Sequence, residues 1–451
     1  MGLHECARSG SMTRMRRGLR ARWPELVLGC ACLALVLGLL DRTVAWTDLA
    51  YRPARARPSE DRRLTRAEFD VRVATNALGF REPRLPSPKP AGVVRIVALG
   101  DSFTQGYGVA EAEAYPRALE ARLAARAPGH RVEVLNLGVP GTSPRDYVGH
   151  LRDPGLAYEP DLVLVGVMAN DVQDVWIQRR FGVRFASEVL RDVQRDVTDD
   201  RPLWRRAPEI LLPALYPFVW TQLVDASRAL QGRVGPKPAR AEAPPAPERK
   251  AIVPADRWRD VVLAMGSRFG RGDETARALT AASPELIERI APVATGAVSL
   301  DSEAGVEGYL RLLALVEPRL FADAVLLPAA YDEAWQETEG YLSAIVRTAR
   351  RAGSRVAIVY VPASHQVTAA ARPALEHDGF VWDARTLEDT TISDRLRRFG
   401  SEAGVPVIDL LPVFRAARDR PLYFLRDGHW TPAGHALAAD ALAAAIGRLL
   451  P

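Results

Sequence analysis

The feature that most limits how this chain can fold is a set of five short, nearly unbroken apolar runs rich in β-branched residues. They are VVRIVALG (93–100), RVEVLNLG (131–138), DLVLVGVM (161–168), RVAIVYVP (355–362) and VPVIDL (405–410). A strand with one face in water alternates apolar and polar residues, whereas a strand covered on both faces has no need to. Helical stretches are expected between the runs, at 115–127, 144–152, 335–352, 385–403 and 432–449. This alternation predicts an α/β fold built on a doubly wound, parallel five-stranded sheet with right-handed crossovers.

One interruption breaks the rhythm. Residues 176–334 separate the third run from the helix leading into the fourth, and within them GRVGPKPARAEAPPAPERK (232–250) has the composition of a linker. The flanking parts have apolar residues at helical spacing, with a kink or break at Pro318. They are read as a helical insertion over the upper edge of the sheet, a candidate lid.

The start of the chain is of another kind. Residues 1–24 hold Arg8, Arg14, Arg16, Arg17, Arg20 and Arg22 against the single acid Glu5, which accounts for the whole net charge of +5. The rest is formally neutral, so no body-wide basic field would attract a phosphate backbone, and no nucleic-acid partner is expected. The apolar run Leu26 to Leu40 then follows without a polar face, the pattern of a secretory signal or signal anchor. An uncleaved transmembrane anchor at 25–46 is the preferred reading. Cleavage after Ala45 is the alternative, with Asp41 and Arg42 a poor approach to it. All three cysteines, Cys6, Cys30 and Cys32, lie in the tail or the anchor, so the body can hold no disulfide framework. The expected organisation is a basic tail (1–24), the anchor (25–46), a polar stalk and lead-in (47–90), the sheet domain in two parts (91–175 and 335–451) and the insertion (176–334).

In open parallel sheets, sites form beyond the carboxyl ends of the strands. The first run delivers Gly100-Asp101-Ser102 there, the second NLGVPGT (136–142), the third Ala169-Asn170-Asp171 and the fourth His365. Shortly after the fifth comes FLRDGHWTPAGH (424–435), with Asp427 two residues before His429. Acyl transfer needs this set. A serine hydroxyl is a weak nucleophile until a base takes its proton, and a carboxylate can hold the imidazole and support its charge. Preorganised N–H donors must then meet the oxyanion. Ser102 is the expected nucleophile, His429 the base and Asp427 its partner, with the Ser102 and Gly141 N–H groups and the Asn170 amide as oxyanion donors.

The ordered blocks GDS, NLGVPG, AND and DGH resemble those of the SGNH (GDSL-type) hydrolase superfamily. The resemblance covers roughly 71–175 and 335–451 and implies a flavodoxin-like fold, an esterase activity and the roles just given. NALGFREP (76–83) and DGHWTPAGH are similar to segments of membrane-attached bacterial members. Two departures matter: Ala169 stands where glycine is usual, and Asp427 lies two residues before His429 where three is usual. The closer spacing followed by Trp430 resembles the alginate O-acetyltransferase branch.

Each residue also has a plainer reading. Ser102 can be a helix N-cap, Asn170 a turn residue, His429 a satisfied polar group and Trp430 a packed core aromatic. Asp101, Asn136, Gly138, Asp171 and His435 are read as structural. His365 is the rival base, but it has no acid beside it. No group of histidines and acids has metal-ligand spacing, so neither metal nor cofactor is expected. The reading is an extracytoplasmic serine esterase, single-pass in the inner or cytoplasmic membrane, acting on an acylated small molecule or glycan. A polysaccharide O-acetyltransferase and a catalytically silent carbohydrate-binding protein are its alternatives.

Overall fold

The computed structural model describes residues 23–46, 51–126, 131–199, 253–300 and 302–447, with scattered positions between 201 and 223. The linker expected at 232–250 and most of the basic tail lie outside the described residues.

Two units are distinguished by their internal contacts: residues 1–52 with 200–244, and residues 53–199 with 245–451. In the first, a helix runs Trp23–Trp46, and its stretch Val27–Val44 is long and apolar enough to cross a membrane. Leu28, Leu33, Leu35 and Leu39 are exposed on it.

The second unit is the sheet domain. Strands β3 (Val93–Leu99), β4 (Arg131–Asn136), β5 (Leu162–Met168), β6 (Arg355–Val361) and β7 (Val407–Asp409) form a five-stranded sheet in the order β4-β3-β5-β6-β7. Every pairing is parallel. Each strand matches one of the five apolar runs. β3 is buried at all seven positions, which is why its run is unbroken. Helices Tyr115–Arg126, Pro144–Arg152, Asp332–Arg351, Thr391–Ala403 and Pro432–Ile446 cover the sheet.

Three further features complete this unit. Its part of the insertion, 176–199 and 253–334, is mostly helical, including Ala186–Thr198, Trp258–Arg268, Gly272–Thr280, Pro284–Ala294 and Glu303–Val316. Their apolar faces enclose a second core containing Val189, Val262, Met265, Ile290 and Leu312. Pro318 falls between helices Glu303–Val316 and Leu320–Leu326, so the chain breaks there.

The stretch read as a stalk is largely folded instead, and this corrects the sequence reading. β1 (Asp61–Thr65) and β2 (Asp70–Ala74) make an antiparallel hairpin. Ahead of it, the Ala54 N–H donates to Asp146 at 2.8 Å, and the His150 ring meets the Ala54 carbonyl at 2.6 Å. After it, buried Arg81 donates to the Gly106 and Val109 carbonyls at 2.6 and 2.9 Å. Buried Glu82 accepts from the Asn136 N–H at 2.9 Å and pairs with Arg84 and Arg117. The lead-in is therefore fastened to β4 and to the turn that follows β3.

Candidate active site

β3 and β5 are neighbours while β4 lies on the far side of β3, so the winding of the sheet reverses between β3 and β5. A crevice opens at such a point, beyond the carboxyl ends of the strands. Ser102 comes just after β3 and Asn170 just after β5.

Ser102 opens a one-turn helix, Ser102–Gln105, and is almost fully buried. Asp101 caps that turn, its carboxylate accepting the Phe103 N–H at 2.9 Å. Burial raises the Asp101 carboxyl group's pKa, and the Phe103 N–H, His429 and Asn170 only partly offset this.

The loop after β4 is tied to the same turn. The Val139 N–H donates to the Gly100 carbonyl at 3.1 Å, and the Thr142 hydroxyl to the Val139 carbonyl at 2.7 Å. Within that loop Gly141 has φ +67°, and a Cβ there would lie 2.4 Å from the Phe185 ring. Glycine is therefore required on both backbone and steric grounds. Asn170, in the first turn of helix Ala169–Phe181, donates from Nδ2 to Asp101 Oδ2 at 3.4 Å, which sets its amide beside the serine turn.

The last contribution comes from the far end of the sequence. Residues 423–430 form a small loop closed by the Tyr423–Trp430 bridge and by a Phe424 N–H donation to the His429 carbonyl at 2.9 Å. Gly428, at φ +86°, supplies the left-handed turn at its tip. Asp427 Oδ1 lies 2.5 Å from His429 Nδ1, and His429 Nε2 lies 2.7 Å from Ser102 Oγ. An ionised carboxylate only accepts, so Nδ1 carries the proton and the neutral ring offers Nε2 as acceptor to the serine hydroxyl. Burial would lower the pKa of His429, but the charge and hydrogen bond of Asp427, helped by Asp101, outweigh it and raise the pKa. Asp427 responds in kind. Burial pushes its pKa up, while His429 and Arg66 hold it below the ordinary carboxylate value.

The rings around this pair were not foreseen in the sequence. The imidazole lies between Phe103, at 4.9 Å between centroids, and Tyr107, at 4.6 Å. Glu68, at the turn of the β1–β2 hairpin, accepts hydrogen bonds from the loop that carries Asp427. The aromatics follow Ser102 closely in sequence, which was an available signal. Glu68 gave none, being an ordinary acid in a charged stretch.

The remaining candidates have other partners. The His365 ring engages the Phe321 carbonyl at 3.1 Å, and burial lowers its pKa to about 4. His435 Nδ1 accepts the Tyr115 N–H at 3.2 Å, and burial lowers its pKa to about 3. Asn136 accepts the Gly138 N–H at 3.0 Å, and Asp171 accepts the Tyr147 hydroxyl at 2.7 Å and the Met168 N–H at 2.8 Å. Trp430 is fully buried, stacked on Phe414 at 4.9 Å and edge-on to Phe103 at 5.1 Å. It anchors the loop in the core. Among the described residues, no group of three or more histidines, cysteines and acids could hold a metal ion.

Two family models match the chain. The GDSL-like lipase/acylhydrolase family matches residues 98–270, and the SGNH hydrolase-like domain of the acetyltransferase AlgX matches residues 319–451. No curated protein matches the sequence. Similar solved structures include the acetyl xylan esterase AlAXEase, 12% identical at a TM-score of 0.35, covering 78% of this chain and 100% of that one. A catalytic mutant of Axe2, an acetylxylan esterase from Geobacillus stearothermophilus, is 14% identical at a TM-score of 0.35, covering 78% and 94%. A putative acylhydrolase from Bacteroides fragilis is 11% identical at a TM-score of 0.34, covering 81% and 92%. The two family matches fall on the two halves of the sheet, one holding Ser102 and the other His429, and both are similarities to SGNH (GDSL-like) acyl-ester enzymes.

Proposed function

We propose that this chain is a membrane-anchored, extracytoplasmic serine esterase that cleaves small acyl esters, acetyl esters above all. The observation that carries this reading is the unbroken hydrogen-bond series from Asp427 through His429 to Ser102. Ser102 Oγ attacks the ester carbonyl carbon while His429 Nε2 takes its proton. The carbonyl π electrons move to oxygen, and the Ser102 N–H, the Gly141 N–H and the Asn170 amide receive that oxyanion. Collapse expels the alcohol, which leaves with the proton from His429. Water then repeats the sequence on the acyl-serine and releases the acid. Asp427 holds the ring and stabilises its cationic form throughout.

A second reading is favoured by the AlgX match over the part that contains Asp427, His429 and Trp430. In it a glycan hydroxyl replaces water, and the acetyl group is transferred. Initial rates with an aryl acetate, measured with and without oligosaccharide acceptors, separate the two. Free acetate as the product in both conditions supports hydrolysis, whereas acetylated glycan formed at the expense of acetate supports transfer. Ser102→Ala is expected to abolish both turnover and covalent labelling by a fluorophosphonate. Labelling that persisted in that variant would remove Ser102 as the nucleophile, whereas absent labelling of the parent would leave a binding protein as the surviving reading.

The location rests on the apolar helix and its flanks. Six arginines precede it, and Arg42, Arg52, Arg55 and Arg57 lie at or beyond its far end, a bias toward an N-terminus inside and a body outside. Protease added to intact spheroplasts should digest the body, and protection of the body would reverse the assignment.

A further inference from the structure

The N-terminal hairpin reaches the acid and the base by two routes. Glu68 lies at the turn between β1 and β2, and its carboxylate accepts three backbone N–H groups in succession. Oε1 accepts from Leu425 at 2.8 Å, and Oε2 accepts from Arg426 and Asp427, both at 2.9 Å. Hydrogen bonds to an ionised acceptor are the strong kind. The neighbouring Phe69 packs on Tyr107 at 5.6 Å and on Phe424 at 5.1 Å, and Tyr107 in turn lies against the His429 ring. Leu64 and Val73 join Phe69 in a small separate core with Tyr107 and Phe424 beside it.

The loop needs this support. Its closed end is held by Trp430 in the main core and by the Tyr423–Trp430 bridge. Its outer side is exposed at Leu425 and Arg426, and the Gly428 N–H donation to the Phe424 carbonyl at 2.7 Å spans the tip. A catalytic group must be held to within about 0.5 Å of its working position, and half-buried Asp427 directly follows the exposed Arg426.

We propose that Glu68 is a positioning residue for the acid–base pair, and that the β1–β2 hairpin is the element that sets the Asp427–His429 spacing. This rests on the triad reading above. The charged and titratable groups facing the pair are Asp101 beyond β3, Tyr107 after the serine helix, Arg66 on the hairpin and His435 on the closing helix. All of them remain in variants of Glu68.

The test uses full-length protein in detergent and an aryl acetate, comparing Glu68→Asp and Glu68→Gln with the parent. Glu68→Asp keeps the charge but loses one methylene of reach, so it separates position from field. Glu68→Gln keeps the reach but turns an amide N–H against a backbone N–H. Both should lower kcat by about 10- to 100-fold, the scale of a misplacement of about 1 Å, with KM within twofold. In both, the acid limb of kcat/KM should move to lower pH, because a loosened Asp427 no longer raises the pKa of His429. A limb that moves in Glu68→Gln and stays put in Glu68→Asp, with normal kcat there, would reduce Glu68 to a distant charge and overturn the proposal. Rates falling with unmoved limbs in both variants would reduce it to a fold contact, which overturns it equally. Hydrogen exchange of the parent gives a check independent of folding in the variants. The Arg426 and Asp427 amides should be protected despite their position in an exposed loop, and fast exchange there contradicts the clamp. Full turnover in Ser102→Ala would instead sink the triad reading, whatever Glu68 does.

Discussion

Burial would strip the proton from His429, and the carboxylate 2.5 Å away returns it with interest. The sign of the pH dependence follows. A protonated ring cannot accept the Ser102 proton, so kcat/KM should fall as pH drops through a pKa above the ordinary 6.5. Stability has the opposite sign. A histidine whose folded pKa is raised contributes stability below its unfolded pKa and loses it as pH rises through the folded one. Asp427→Asn should therefore move the acid limb of kcat/KM to lower pH while cutting kcat by about 10²–10⁴-fold, the usual span for acid–base assistance. A limb that stayed in place would mean that Asp427 is not what raises His429. Asn170→Ala should cost about 10²–10³-fold in kcat, the value of one oxyanion donor. Unchanged turnover would take Asn170 out of that role.

At the scale of elements, the difference between what the sequence revealed and what it hid has a physical cause. β3, β5 and β6 are covered on both faces, so their apolar runs stand out without any knowledge of the fold. The β1–β2 hairpin has one small apolar face and one charged face. Its strands read DRRLT and DVRVA, and pairs such as Arg63–Asp70 and Arg72–Asp61 are visible only once the register is known. Arginine and proline content there suggested a stalk. The motif residues at strand ends stood out in the sequence because the proposed chemistry needs particular residue types. Glu68 was not, because it acts through backbone N–H groups from the other end of the chain. The Asp427–His429 loop depends likewise on its packed root. Trp430 is fully buried among Phe103, Tyr115, Phe414 and His435. Trp430→Ala should cost about 3–5 kcal/mol of stability, read as a lowered denaturant midpoint. A loss under about 1 kcal/mol, below the usual range for emptying a large aromatic site, would mean that the loop is held from its exposed side alone.

Over the whole sheet domain, the two hydrophobic cores share one beam. Helix Ala169–Phe181 carries Asn170 in its first turn and buries Val172 and Val175 in the core around the sheet, while Ile177 belongs to the second core, that of the insertion helices. Trp176 packs against both cores and stacks on Tyr331 at 5.3 Å. Buried Gln173 donates to the Leu320 carbonyl at 2.7 Å, and Arg179 pairs with Glu333 and Glu337. A helix fixed on both sides is expected to loosen its own first turn, where the Asn170 amide sits, when one core is lost. Leu312 is fully buried in the second core, and Leu312→Ala should cost about 2–5 kcal/mol. If the cores are coupled, thermal loss of aryl-acetate hydrolysis and deprotection of peptides from 303–316 should coincide and move down together in the variant. Peptides from 303–316 that exchange fully while turnover persists would mark the insertion as a separate cooperative unit. Asn170 would then be held by the sheet side alone.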